Sequence, residues 1–262
     1  MKNLLIKIEY IGKNYKGWQI QPNVATVEET IRDVFQIVCR CEIKIKACSR
    51  TDSGVHANGQ VANLFIPRET SLRKLYSSVN ALLPDDIAII DLVWVADDFS
   101  ARKDNFGKRY IYQIISSPVQ RVFNRDTYLW QRTRYDLSKM NAACNLFMGE
   151  HDFSAFRGRG CQQINTVKNI SRLEIFEKKG RDLSEIGFIV EGSGFLKNMV
   201  RIMVGTLMEI GQGKSGSETI LKAFQSGSRK DAGFMAPAKG LILDEVFYNP
   251  DPFMIGNRKT SE

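Results

Sequence analysis

The chain has 262 residues, 43% of them hydrophobic and 25% charged, with 20 glycines and 7 prolines. That length allows one or two domains with a real core, and the composition excludes collagen-like, coiled-coil and largely disordered classes. Lys and Arg number 37 against 29 Asp and Glu, a net charge of +8, which suits a polyanionic partner such as nucleic acid. Five cysteines without a C-x-x-C and only two histidines argue against a zinc site or a disulfide framework, so reduced thiols, a cytoplasmic location and no metal are expected. No apolar run approaches the ~18 residues of a membrane span.

Leu4, Ile6, Ile8 and Tyr10 alternate with Leu5, Lys7 and Glu9, which predicts a strand over 4–10 rather than a leader. After the turn-rich stretch 12–22, Thr26 and Glu29 form a T-x-x-E capping box, and Val27, Ile31, Val34, Phe35 and Val38 fall on one helical face. Ile43 to Cys48 and Gln60 to Ile66 predict strands on either side of a polar loop, Ser49 to Gly59. Thr70 to Leu83 predicts a second helix and Ile87 to Val95 a buried strand, giving β-α-β-β-α-β, the split βαβ or ferredoxin-like order. From Lys108 the order recurs: a strand over 110–115, a helix over 137–147, strands over 167–175 and 186–191, helices over 195–210 and near 218–224, and a closing strand over 241–248. Lys103, Asp104, Asn105 and Gly107 interrupt the apolar pattern, so the expected halves are residues 1–104 and 105–262.

Gly211-Gln-Gly-Lys-Ser-Gly216 matches G-x-G-x-x-G literally, but a dinucleotide fingerprint follows a strand and opens a helix, and here a helical pattern precedes it. It reads as a helix stop and a turn. The stretch Phe156-Arg157-Gly158-Arg159-Gly160 and the pairs Lys44/Lys46, Lys108/Arg109 and Arg229/Lys230 suit a phosphate backbone or a solvated face. His151, in Gly149-Glu150-His151-Asp152-Phe153, reads as a histidine capping carbonyls at a helix end. The loop Ser49-Arg50-Thr51-Asp52-Ser53-Gly54 reads alone as an Asx turn. Its company changes the balance: Tyr110 and Tyr112 open the second half, and Arg201 lies inside an otherwise apolar helix. A guanidinium buried there needs a carboxylate, for which Asp52 is the candidate.

These residues resemble the TruA family of tRNA pseudouridine synthases. The stretch Ser49-Arg-Thr-Asp-Ser-Gly-Val-His-Ala57 followed by Gly59-Gln-Val-Ala62 is similar to the family's catalytic signature, and further blocks fall in order: Lys108 to Tyr112, Gly149 to Phe153, Gly194 to Arg201 with Val204-Gly205, and Ala236 to Leu241. The resemblance covers nearly the whole chain. It implies an α+β fold of two ferredoxin-like halves joined into a mixed, mainly antiparallel sheet, with helices on one face and a central cleft. It implies a cofactor-free isomerase acting on tRNA uridines of the anticodon arm, positions 38–40, as a homodimer.

By the same resemblance Asp52 is the catalytic residue, adding to C1′ or C6 or taking the 2′ proton. Arg201 keeps it ionised. Tyr110 stacks on the detached uracil and serves as base at C5, and Leu241 closes the opposite face. Arg50 fills the gap left by the flipped nucleotide or contacts a phosphate; Thr51, Lys108 and Arg102 complete the substrate-binding set. Ser49 and Ser53 stand where the family commonly has Gly and Ala. Lys103-Asp104-Asn105 follows Phe99-Ser100-Ala101-Arg102 where Phe-Ser-Ala is common, which leaves open a paralogue acting on another RNA position. Rival readings are a non-catalytic RNA-binding module and a nucleotide-binding enzyme using Gly211 to Gly216.

Overall fold

The computed structural model describes residues 1–67 and 70–256. In chain order the elements are β1 (Lys2–Tyr10), α1 (Val27–Cys39), β2 (Lys46–Ala47), β3 (His56–Ile66), α2 (Leu72–Asn80), β4 (Ile87–Trp94), β5 (Asn105–Ser116) and β6 (Leu129–Gln131). They continue with α3 (Leu137–Cys144), β7 (Gly149–Asp152), β8 (Val167–Lys179), β9 (Ser184–Gly192), α4 (Met199–Gly211), α5 (Glu218–Ser226), β10 (Leu241–Tyr248) and α6 (Pro252–Gly256). The class is α+β. The chain divides into two compact units, one of residues 1–107 together with the segment from Leu243, the other Lys108–Ile242. The boundary expected at 104/105 thus falls at 107/108, and most of β10, expected in the second half, groups with the first.

In the first unit the strands lie in the order β4-β1-β3-β10. β1 runs antiparallel to both β3 and β4, pairing Leu4 with Leu64 and with Trp94. Leu4, Leu5, Ile6 and Ile8 are buried, and α1 adds Val27, Ile31, Val34 and Phe35 to the same core. The T-x-x-E box does not form. The first helical amides, those of Val27 and Glu28, donate instead to the carbonyls of Gly17 and Trp18 (3.2 and 3.0 Å). Thr26 Oγ1 is left buried and unpartnered, and Glu29 turns to Arg32 at 3.3 Å. The strand expected over 43–48 shrinks to β2, because the Ile43 amide donates to the Gln36 side chain at 3.2 Å rather than to a neighbouring strand. β3 begins at His56, so the polar loop is shorter than expected.

A buried polar pair, Asn3 and Asn63, ties down the end of this unit. Asn3 Nδ2 donates to the carbonyls of Ala96 and Phe99 (2.9 and 2.8 Å), Asn63 Nδ2 donates to Asn3 Oδ1 (2.9 Å), and Asn63 Oδ1 accepts from the Ala101 amide (2.6 Å). Tyr248 Oη on β10 donates to Ala101 O at 2.8 Å. Every buried donor here has its acceptor, so burying two amide side chains is compensated.

In the second unit the order is β5-β9-β8-β7, antiparallel throughout, with β6 parallel to β5. Tyr110, Tyr112 and Ile114 are buried on one face of β5, as strand alternation requires. The helix expected from Phe195 starts at Met199, because Asn198 takes a left-handed conformation (φ 61°) and Lys197 O accepts the Gly158 amide at 2.8 Å. α4 is buried on nearly every residue. Phe147, Phe153, Phe156 and Phe224 form an aromatic cluster, with His151 stacked on Phe224 at 4.6 Å.

Candidate active site

The loop that carries Asp52 is fixed by main-chain contacts on both sides. Thr51 O accepts from the Trp18 amide (3.0 Å), Tyr15 O accepts from the Gly54 amide (3.3 Å), and the Val55 amide donates to Asp52 O (3.1 Å). Gln60 Nε2 donates to Ser49 O at 2.7 Å, and the buried hydroxyls of Tyr10 and Thr51 lie 2.7 Å apart. The segment 12–18 reaches the loop only because two of its residues lack side chains. A Cβ on Gly12 would stand 1.9 Å from Val55 O, and one on Gly17 (φ +96°) 2.8 Å from Thr51 O. The Gly12 amide also donates to His56 Nδ1 at 3.0 Å, which puts the proton of a neutral His56 on Nε2. Asp52 itself is half-buried, Thr51 buried and Arg50 exposed.

In the second unit the guanidinium of Arg201 is buried and held by its own donors. Nε donates to Ala236 O at 2.7 Å and Nη1 to Asn198 Oδ1 at 2.9 Å, while the Ala236 amide returns a bond to Arg201 O at 3.0 Å. The segment that grips it is anchored in turn. Tyr112 Oη donates to Pro237 O at 2.8 Å, and a Cβ on Gly205 would stand 1.9 Å from Phe234 O. Burial raises the Tyr112 hydroxyl well above the ordinary tyrosine range, the Arg201 charge opposing, so Tyr112 stays a hydrogen-bond donor at neutral pH. Tyr110 is buried with its ring edge-on to Phe195, centroids 5.1 Å apart. Leu241, four residues beyond Pro237, is buried at the start of β10.

The structure therefore groups the expected residues in two sets. Arg50, Thr51 and Asp52 share one loop in the first unit, whereas Lys108 and Tyr110 share β5 and Arg201 meets the segment leading to Leu241 in the second. Lys108 is half-buried; Arg102 is exposed on the turn after Ala101. In that turn Asp104 accepts from the Ser100 amide (2.7 Å) and Asn105 Nδ2 donates to Arg102 O (2.7 Å), so Asp104 and Asn105 close the turn locally. Burial pushes the Glu28 carboxyl up, opposed by a hydrogen bond from the Ile20 backbone and by the charges of Arg50 and Arg32.

Gly211 ends α4 and Gly213 (φ +71°) turns the chain, so this segment is the helix stop its pattern predicts. His151 Nε2 lies 2.9 Å from Met148 O, one residue past the single 3-10 turn that follows α3. Among the described residues no cluster of three or more His, Cys, Asp or Glu is placed to hold a metal ion. The holding roles of Tyr10, Gly12, Gly17, Gln60, Asn198 and Tyr112 escape a sequence reading, although Tyr112 stands out beside Tyr110 and Gln60 and Asn198 fall inside the family blocks. Their signal is only that glycines and buried polar groups recur beside the loop and the helix.

A family model described as tRNA pseudouridine synthase matches residues 6–102 and 143–249. The tRNA pseudouridine synthase A of Myxococcus xanthus is 37% identical over 252 residues, 96% of this chain and 94% of that protein. The enzyme of the same name from Syntrophotalea carbinolica is 41% identical over 251 residues, 95% of this chain and 97% of that protein. Among solved structures, the archaeal box H/ACA sRNP Nop10-Cbf5 complex aligns over 90% of this chain and 58% of that chain at 14% identity, with a TM-score of 0.32, too loose a likeness to bear on the site. The family match spans most of the residues described above, and the relatives align over almost all of both lengths: the chain belongs to the tRNA pseudouridine synthase family, an isomerase family.

Proposed function

We propose that the protein converts uridine to pseudouridine in tRNA, at positions 38–40 of the anticodon arm, with Asp52 as the catalytic nucleophile or base. The observation that carries this reading is the Asp52 loop, whose backbone is pinned from both sides in a chain that belongs to this family. The reaction breaks the N1–C1′ bond, turns the base, joins C5 to C1′ and transfers the C5 proton away, while N1 gains a proton. It needs neither an oxidant nor an energy source, and no cofactor is invoked. An ionised aspartate against the ribose supplies either the covalent partner or the proton acceptor.

Arg201 would favour the ionised form of Asp52, since an opposite charge within about 4–6 Å stabilises a carboxylate. Tyr110 would stack on the freed uracil and accept the C5 proton, Leu241 would cover the other face, and Arg50 would fill the vacancy of the extruded nucleotide. Thr51 sets the backbone beside Asp52; Lys108 and Arg102 contact phosphates. We place the enzyme in the cytoplasm as a homodimer.

Forming the C5–C1′ bond expels hydrogen from C5, so tritium release from tRNA transcribed with 5-tritiated uridine reads the reaction directly. Release mapped to positions 38–40, abolished by Asp52→Asn with tRNA affinity kept, is the expected result. Release that persists in Asp52→Asn would overturn the assignment of Asp52. No release from any uridine would overturn the function, and release confined to other positions would reassign the target.

A further inference from the structure

We propose that the β5–β6 loop, residues 118–128, is a docking finger that grips the tRNA away from the reacting nucleotide. This rests on the tRNA reading above and adds the surface that holds the rest of the molecule. Val119, Val122 and Phe123 are 60, 76 and 89% exposed, an unusual amount of apolar side chain to present on one short loop. Arg121 and Arg125 flank them, and Arg132 and Arg134 follow on the far side of β6, all exposed. Across 118–134 the only acid is Asp126, 3.8 Å from Arg125.

The loop is braced. Ser117 Oγ donates to Val119 O (2.7 Å), the amides of Thr127 and Tyr128 donate to Asn124 O (both 3.1 Å), and the Trp130 indole donates to Ser117 O (3.2 Å). Arg132 lies over the Trp130 ring at 5.3 Å. The backbone that presents the tip is therefore ordered before binding, which leaves chiefly side-chain freedom to lose.

The mix of chemistry selects the partner. One exposed aromatic ring, Phe123, set among apolar valines and guanidinium groups matches a base and its phosphates, the ring by stacking and the cations by neutralisation. A second copy of this chain is the competing occupant, but a self-complementary contact would set two groups of four arginines against each other, which like-charge repulsion disfavours. Tyr110 and Ser116 are six residues apart on β5, about 20 Å along an extended strand. Lys239 Nζ donates to Arg125 O at 3.4 Å, tying the finger to the turn before Leu241. The finger is also tied to β5 itself, where Gln113 Nε2 donates to Tyr128 Oη at 3.2 Å, but its exposed tip, Val122 and Phe123, includes none of the residues assigned to the reacting base. It should govern binding and leave the chemical step alone.

The test uses the full chain, an unmodified tRNA transcript, and the exposed variants Phe123→Ala and Arg121→Ala/Arg125→Ala. Expected are a Kd weakened about ten-fold or more in each, and a salt dependence of binding that falls by about one log unit per log unit of salt for each arginine removed. The single-turnover rate at saturating tRNA should stay unchanged. An unchanged Kd overturns the proposal. So does a shift of Phe123→Ala to a smaller species in sedimentation, which would assign the surface to a second copy. Binding is read without reference to product, so loss of affinity in a chain that releases no tritium would sustain the finger while the isomerase reading fell.

Discussion

In the first unit Asp52 is aimed by backbone: carbonyls and amides of residues 15–18 clasp the loop, and glycines let the two segments touch. In the second, Arg201 is aimed by side chain: its own guanidinium donates to Ala236 and Asn198, and Tyr112 pins the segment that receives it. A main-chain clasp is indifferent to most side chains on the loop it holds. Serines can therefore stand at positions 49 and 53 without moving the carboxylate. The second clasp has less tolerance: Ala236 and Pro237 accept through main-chain carbonyls, but replacing Arg201, Asn198 or Tyr112 removes a hold and leaves a buried polar group without its partner.

That contrast can be broken in stages. Gly12→Ala forces a Cβ to within 1.9 Å of Val55 O, a main-chain atom that cannot step aside, so urea unfolding should show a loss of about 3 kcal/mol or more. Gly205→Ala, equally close to Phe234 O, should match it; a mild result there would mean that the second clasp yields where the first does not. Arg201→Lys keeps the charge but loses the planar fork, and the single-turnover rate should drop about 10²- to 10³-fold with tRNA affinity retained. Tyr10→Phe removes the partner of the buried Thr51 hydroxyl, costing about 1 kcal/mol in thermal unfolding and little in rate. Ser53→Ala, which gives up a long, part-buried 3.4 Å contact with Tyr15 O, should stay within about 0.5 kcal/mol and keep full activity. A large effect from Ser53→Ala would refute the idea that the first clasp is made of backbone.

Strong periodicity is what made much of the fold legible. β1, α1, α3 and β10 fall where alternation or a helical stripe puts them, because each buries one face against one core. The misses share a physical cause, local signals overruled by partners distant in sequence. The Thr26–Glu29 box has the right residues, yet the Glu29 carboxylate pairs with Arg32 while carbonyls of Gly17 and Trp18 meet the first helical amides. The helical stripe from Phe195 is real, yet Asn198 turns left-handed and delays the helix. β7 is too polar and too short to announce itself; it exists because β8 pairs with it, Glu150 opposite Asn169. Of the site, the residues bearing charge or aromatic rings could be read from the sequence. The glycines and asparagines that aim them could not, since their role lies in what approaches them.

β10 lies beside β3 in the first unit, with Asn58 Nδ2 donating to Asp244 Oδ1 at 3.1 Å and Gly59 close against Asp244 O. During synthesis the opening hundred residues therefore emerge long before the strand that completes their sheet, and the ribosome must deliver the entire intervening unit first. Cotranslational maturation of the aspartate-bearing half has to await the chain's last stretch, so a nascent polypeptide halted near residue 107 would expose an unfinished edge to chaperones.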